Sequence, residues 1–220
     1  MANLLLLNGF LALWQNAQGP MLREKRWGNF PAYNQTLVEH TNSLPLVARL
    51  VTMTVSRQFC LDIVMDCVTV HDHGEPLTGG DPHAGNKTRG KDVEEWIAFA
   101  ELMQKQPEHL AMGLLYAFSL QYVRKAIWVD LPPEGQRMVS ELRAIYAYEA
   151  TLFDFIERFD YILSAYAGHL RGIRNQKETM LAHTFGNQAP KLDALVVEIP
   201  ELGSLWSPQL RAELEALCQS

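Results

Sequence analysis

Apolar residues recur at intervals of three and four along most of the chain, a spacing that predicts helices rather than strands. The first clear helix begins at Thr36. Thr36 and Glu39 have the spacing of a capping box, in which the side chain of each residue accepts a hydrogen bond from the backbone N–H of the other. Its apolar positions are Leu37, Leu44, Val47, Ala48, Val51 and Val55. Pro45 lies inside this helix and predicts a bend, because proline removes one backbone hydrogen bond.

A second helix, from about Leu61 to Asp72, is apolar nearly all round, which is typical of the central helix of a bundle. Further helices are predicted at about 91–105, 108–128 and 135–169, and from Ser207-Pro208 to Cys218. The Gly- and Pro-rich stretch 76–90 predicts a long loop directly after the second helix. The pattern therefore predicts an all-α helical bundle.

Composition favours one soluble domain spanning residues 1–220, since 48% hydrophobic residues suffice for a core. A net charge of −6 argues against nucleic acid and acidic membranes as partners, because both require a basic surface. The apolar run Leu4 to Leu7 has no Lys or Arg before it, so we interpret it as packed domain rather than signal peptide or membrane span. Cys60 and Cys67 are too far apart on one helix for a disulfide. Reduced thiols predict a cytoplasmic protein.

Several ionisable residues fall on the apolar faces of the predicted helices. His40 is in register with Leu37 and Leu44. The face formed by Leu61, Val64, Met65 and Val68 continues into His71, Asp72 and Glu75. Asp160 is in register with Phe153, Ile156, Leu163 and Ala167. Polar side chains from three helices are therefore expected to point into the interior.

Each of these residues has an ordinary explanation when taken alone, as a hydrogen-bonded core histidine, a helix cap or an ion-pair partner. Their joint occurrence in the order His40, His71-Asp72, Asp160 is harder to produce by accident. Buried carboxylates are costly unless a partner neutralises them, and one cation would neutralise both. Two imidazoles and two carboxylates form a mixed nitrogen and oxygen set, so we predict one divalent transition metal ion, either Mn, Co, Fe, Ni or Zn.

The local sequence around these residues resembles the HD-domain superfamily of metal-dependent phosphohydrolases. Residues 38–41, Val-Glu-His-Thr, are similar to the family string xEHS. Residues 71–82 are similar to HDxxExxTGDxP, which is characteristic of the 5'-deoxyribonucleotidase branch, with Gly80 as one extra glycine. Arg26-Trp27 matches an Arg-Trp pair of that branch. The resemblance covers roughly residues 20–170 and implies an HD-domain helical bundle with a long loop after the HD helix.

The resemblance implies a phosphomonoesterase that acts on (deoxy)nucleoside 5'-monophosphates through a metal-activated water. Glu75 would be a general acid/base or position the water, and Asp81 would orient the same water, although Asp81 before Pro82 is also a turn-forming sequence. Arg26 would pair with the substrate phosphate, and Trp27 would stack on the substrate or simply pack. Lys87 would add positive charge or lie in a solvated loop. A homodimer is also expected.

Two other functions remain open. A dinuclear HD phosphodiesterase or oxygenase would need further histidines between Asp72 and Asp160, where His83 and His109 lie. A catalytically silent nucleotide-binding HD domain would have no physical need of Glu75 and Asp81. Two histidines near the site, His73 and His83, are expected on the surface.

Overall fold

The computed structural model describes residues 16–17, 19–23, 26–27, 29–33, 35–79 and 88–219, and the regular elements of these ranges are helices. The prediction of an all-α protein is therefore confirmed. The main helices are α1 (Leu37–Thr54), α2 (Leu61–Val70), α3 (Arg89–Met103), α4 (Glu108–Leu120), α5 (Pro133–Ile145), α6 (Ala147–Leu170), α7 (Met180–Glu198) and α8 (Pro208–Cys218). Short 3₁₀ turns at Pro76–Thr78, Ala126–Asp130 and Pro200–Ser204 link some of them.

Helix α1 begins with the predicted capping box. The Thr36 side chain accepts a hydrogen bond from the Glu39 N–H, and the Glu39 carboxylate accepts one from the Thr36 N–H. This cap fixes where the first turn begins and so places His40 at a fully buried position. Pro45 lies inside the helix as predicted.

Helix α2 is the central helix of the bundle, since it packs against α1, α4 and α6. Its buried residues are Val64, Cys67, Val68 and Val70, whereas Leu61 is exposed, contrary to the prediction. The helix ends at Val70, two residues earlier than predicted, and His71 is its C-cap. The residues after Val70 therefore lie in a tight turn, and this turn presents His71 and Asp72 at the end of the helix.

One long helix was predicted at 135–169, but the structure has two, because Tyr146 leaves helical geometry between α5 and α6. The sequence has neither Gly nor Pro at this break, so the apolar periodicity appears continuous across it. The inward face of α6 also differs from the prediction. Leu163 and Ala167 are exposed, and the buried stripe continues from Asp160 to Ser164 and Gly168 instead.

Helix α7 was not predicted, because Pro190 lies inside it and obscures the helical pattern. Its N-cap Thr179 accepts a hydrogen bond from the Ala182 N–H, and the helix packs along α6. Gly168 of α6 permits the close approach of the two helices, since a Cβ at this position would lie 2.6 Å from the Met180 sulfur. The closing helix α8 is confirmed, with Ser207 as its N-cap.

The structure also bears on the predicted loop, the cysteines and the question of a membrane span. The loop predicted at 76–90 begins with the 3₁₀ turn Pro76–Thr78 and ends where α3 starts at Arg89, and residues 80–87 lie outside the described ranges. The run Leu4 to Leu7 lies outside them too. All three cysteines are free thiols. Among the described helices, none combines the length and apolar character needed to cross a membrane.

Candidate metal centre

Three buried side chains meet between the start of α1 and the end of α2. They are His40, His71 and Asp72, and one potential ligand atom of each lies within 4.8 Å of the others. His40 is fully buried, and His71 and Asp72 are 3% and 8% exposed. Because α1 packs beside α2, the first turn of one helix meets the last turn of the other, and this packing brings the three residues together.

The hydrogen bonds of the two imidazoles determine which ring nitrogen is available for a metal. Nδ1 of His40 lies 2.8 Å from Oδ2 of Asp160, and Nδ1 of His71 lies 3.0 Å from the Val68 carbonyl oxygen. A carboxylate and a carbonyl can only accept, so in both rings Nδ1 carries the proton and donates it. The Nε2 atoms of His40 and His71 therefore keep their lone pairs.

These two Nε2 atoms are buried, and no group in the part of the chain that the structure describes donates a hydrogen bond to them. The Asp72 carboxylate lies beside both of them, with Oδ1 3.1 Å from Nε2 of His71 and Oδ2 3.6 Å from Nε2 of His40. Two buried lone pairs and a carboxylate facing the same small volume fit a divalent cation. Burial lowers the pKa of the His71 imidazole, but Asp72 more than offsets this effect, so the net shift is upward.

Asp160 extends from α6 and adjoins this group on the far side of His40. Its Oδ2 accepts from Nδ1 of His40, and its Oδ1 accepts from the Ser43 hydroxyl at 2.8 Å. Burial raises the pKa of Asp160, an effect that the nearby Arg26 guanidinium opposes. The structure thus brings all four predicted ligands together, with Asp160 in contact with His40 rather than among the three clustered ligand atoms.

Arg26, which the resemblance implies is a phosphate-binding residue, lies at the edge of the centre. Its Nη1 is 3.8 Å from Oδ2 of Asp160, and its Cζ lies 4.0 Å from the centroid of the Tyr161 ring. Burial lowers the pKa of Arg26, but Tyr161, Asp72 and Asp160 more than offset this and raise it overall. Arg26 is therefore a buried cation directly beside the candidate ligands.

Trp27 packs in the structure. Its ring is 9% exposed, and its Nε1–H donates to Oε1 of Gln35 at 2.8 Å. The ring also makes edge contacts with Tyr33 and Tyr161. Of the two roles considered for Trp27, these contacts favour packing.

Glu75 is buried in the turn that follows α2, where its N–H bonds the Asp72 carbonyl. Glu75 lies three residues after Asp72 in the same turn. Two other predicted site residues, Asp81 and Lys87, lie outside the described residues.

His73 is not the surface histidine that the sequence analysis expected. It is 2% exposed, and its ring makes an edge contact with Phe99. Burial, reinforced by His71, lowers the pKa of His73 to about 4, so the ring is neutral at pH 7. The tight turn after α2 folds His73 back onto α3, a consequence of tertiary packing that the local sequence does not reveal.

Two residues beside the centre were missed by the sequence analysis. Ser43 lies one turn after His40 and orients Asp160, and Tyr161 follows Asp160 directly and lies under Arg26. The spacing of Ser43 from His40 was a usable signal, because residues three apart on a helix are neighbours. Nothing in the sequence indicated the role of Tyr161.

Comparisons with known proteins do not assign the chain to a family. It matches no protein-family model, and no curated protein matches it significantly. The functional assignment therefore rests on the buried cluster of His40, His71 and Asp72 and on the residues around it.

Proposed function

We propose that this protein is a metal-dependent phosphohydrolase that releases phosphate from (deoxy)nucleoside 5'-monophosphates. The observation that carries the proposal is the pair of buried Nε2 atoms of His40 and His71, which receive no hydrogen bond from the described residues and lie beside the Asp72 carboxylate. Leaving such atoms unsatisfied costs roughly 1 to 3 kcal/mol each, and a bound cation removes that cost.

His40, His71 and Asp72 would hold the ion, and the mixed nitrogen and oxygen set suits Mn, Co, Fe, Ni or Zn. Such an ion, when bound, polarises a phosphoryl oxygen and supplies a nucleophilic water at neutral pH. Asp160 keeps the His40 ring in the tautomer and orientation that a ligand requires. Asp160 also stays a predicted fourth ligand, a role that would require one of its oxygens to leave His40 or Ser43.

Arg26 would bind the phosphate of the substrate. Asp160 and Tyr161 hold its guanidinium beside the centre. The planar guanidinium can donate two parallel hydrogen bonds to two phosphate oxygens. Glu75 would transfer a proton or position the attacking water. It is buried, it follows His71 and Asp72 closely in the sequence, and it is not one of the three clustered ligands. Asp81 would orient the same water, and Lys87 would add positive charge near the phosphate.

The resemblance to the 5'-deoxyribonucleotidase branch of HD-domain proteins supplies the nucleotide part of the proposal, along with a homodimer in the cytoplasm. A mononuclear centre is favoured over a dinuclear one, since the described residues contain one group of three or more potential ligands. A silent nucleotide-binding domain is the competing function.

A substrate panel tests the proposal. Protein loaded with Mn²⁺ or Co²⁺ is assayed for phosphate release from matched ribonucleoside and deoxyribonucleoside 5'-monophosphates, with 4-nitrophenyl phosphate as a generic phosphomonoester. The proposal predicts release from nucleotides that exceeds release from the generic ester. Nucleotide binding without release would instead support the silent domain.

A further inference from the structure

Arg26 itself lies outside the helices, so its position depends on tertiary contacts. Its backbone N–H donates to the Gln35 carbonyl at 3.1 Å. Its guanidinium packs against two consecutive residues of α6, with Nη1 3.8 Å from the Asp160 carboxylate and Cζ 4.0 Å from the Tyr161 ring centroid. Asp160 and Tyr161 therefore both contact the guanidinium.

We propose that Tyr161 is a positioning residue, which holds the guanidinium of Arg26 on its ring face so that Arg26 can bind the phosphate of the substrate. This inference rests on the proposed function. A guanidinium stacked on an aromatic face keeps its N–H groups in its own plane, where they remain free to meet phosphate oxygens. The attraction between ring and cation is strongest where water is excluded, and Arg26 is 6% exposed.

The Tyr161 ring is itself held firmly. The Trp27 ring makes an edge contact with it, with centroids 5.8 Å apart, and the His40 ring lies 6.1 Å away. Trp27 is fixed in turn by Gln35, whose side chain accepts from its Nε1–H and whose backbone carbonyl accepts from Arg26. Arg26 and Trp27, which are adjacent in sequence, thus both contact the Tyr161 ring. The Arg-Trp pair thereby links the guanidinium and the ring that supports it beside the metal centre.

Binding of inorganic phosphate to Mn²⁺-loaded protein, measured by titration calorimetry, tests the role of Tyr161. Tyr161→Leu removes the aromatic face and should weaken phosphate binding about tenfold, the change that a desolvated cation–π contact supports. Tyr161→Phe retains the face but loses the hydroxyl, which also forms a side-chain hydrogen bond with Arg26, so its phosphate affinity should fall by less than that of Tyr161→Leu. Tyr148→Leu is the matched control. It removes the tyrosine beneath Arg57 at 4.3 Å, a similar stack that is not part of the centre, and should leave phosphate affinity unchanged.

A second variant keeps the test decisive if Tyr161→Leu does not fold. Trifluorinated phenylalanine at position 161 has nearly the shape of phenylalanine. Its fluorine atoms withdraw negative charge from the ring face, so the ring attracts a cation less strongly. Its phosphate affinity should fall below that of Tyr161→Phe while Mn²⁺ affinity and melting temperature match. A purely structural role would leave the two aromatic variants equal.

The outcomes separate this inference from the proposed function. Equal phosphate affinity in wild type, Tyr161→Leu and the fluorinated variant would overturn the inference, as would wild-type protein that binds no phosphate. If the wild type binds phosphate, the variants weaken it as expected, and no phosphomonoester is hydrolysed, the positioning role stands and the hydrolase proposal fails.

Discussion

The Asp160 carboxylate lies 2.8 Å from Nδ1 of His40 and leaves Nε2 of that ring directed toward Asp72. Its second oxygen is engaged by the Ser43 hydroxyl. Carboxylates that bind the outer nitrogen of a metal-ligating histidine fix the ring and increase its basicity. Asp160 therefore supports metal binding through His40 in the geometry described, whether or not it also becomes a ligand.

Asp160→Asn should weaken metal binding by roughly 10- to 100-fold, the usual effect of altering a residue that orients a ligand. The amide oxygen can still accept from His40, but the negative charge is lost. Isothermal titration of metal-free protein with Mn²⁺ measures the change. Asp154→Asn is the control, since Asp154 lies on the same helix and pairs with Arg124 and Arg158 instead. Unchanged affinity in Asp160→Asn would remove Asp160 from the centre.

Glu75→Gln should preserve metal content and reduce turnover on the order of 100-fold or more, because a general acid/base needs a titratable carboxyl group. Metal analysis and phosphate release are measured on the same preparation. Glu149→Gln serves as the control, since Glu149 is equally buried but accepts a hydrogen bond from the Cys60 N–H at the start of α2. Full turnover in Glu75→Gln would exclude Glu75 from the mechanism.

Arg26→Lys should lower turnover of nucleotides although the charge is kept, because lysine lacks the planar fork that grips two oxygens. Phosphate release from matched ribonucleotides and deoxyribonucleotides is compared with release from 4-nitrophenyl phosphate. An effect of equal size on every ester would assign Arg26 to general phosphate binding, and no effect would reject the predicted role.

Asp81→Asn should reduce the rate with metal still bound if Asp81 positions the attacking water, since asparagine keeps the turn-forming character of the residue. Deletion of Gly80 should be tolerated, because it restores the spacing of the string that residues 71–82 resemble. Both variants are assayed for metal content and phosphate release. A normal rate in Asp81→Asn would leave the residue with a turn-forming role alone.

Gly74 lies between His73 and Glu75, where the turn approaches α3. A Cβ at this position would lie 2.8 Å from the Glu95 Cβ and 3.0 Å from Phe118 Cζ. Gly74→Ala should therefore lower the free energy of unfolding by about 1 to 3 kcal/mol, the cost of overpacking. Gly113→Ala is the opposite case, because no atom of the described residues lies within 4 Å of a Cβ there, and it should stabilise α4 by up to about 1 kcal/mol. Thermal and denaturant unfolding measure both, and equal effects would contradict the close approach at Gly74.

The sequence was most informative where local chemistry determines structure. The capping box at Thr36 and Glu39 fixed the start of α1, and the inward register of His40 and Asp160 followed from helical spacing. The His71-Asp72 pair was recognisable as a dipeptide at the end of an apolar helix. These features depend on residues within one or two turns of each other, so one sequence contains the necessary signal.

Features that depend on contacts between helices were not predictable. Leu163 lies on a helical repeat with Asp160 but is exposed. The buried continuation is Ser164, whose hydroxyl accepts from the Gln35 side chain, and Gly168, which lies against Met180 of α7. The burial of His73 likewise depends on α3 packing over the turn after α2. The pairing of Tyr161 with Arg26 joins positions 135 residues apart, and no local pattern indicates such a contact.

Phosphate release from a nucleoside 5'-monophosphate by chelator-treated protein, before and after Mn²⁺ or Co²⁺ is restored, tests the central claim most directly. The account predicts no release without the ion, recovery when it is added, and no recovery in His71→Ala, which lacks one of the clustered ligands. Release that persists in metal-free protein, or protein that binds the ion at this centre and still hydrolyses no phosphomonoester, would contradict it.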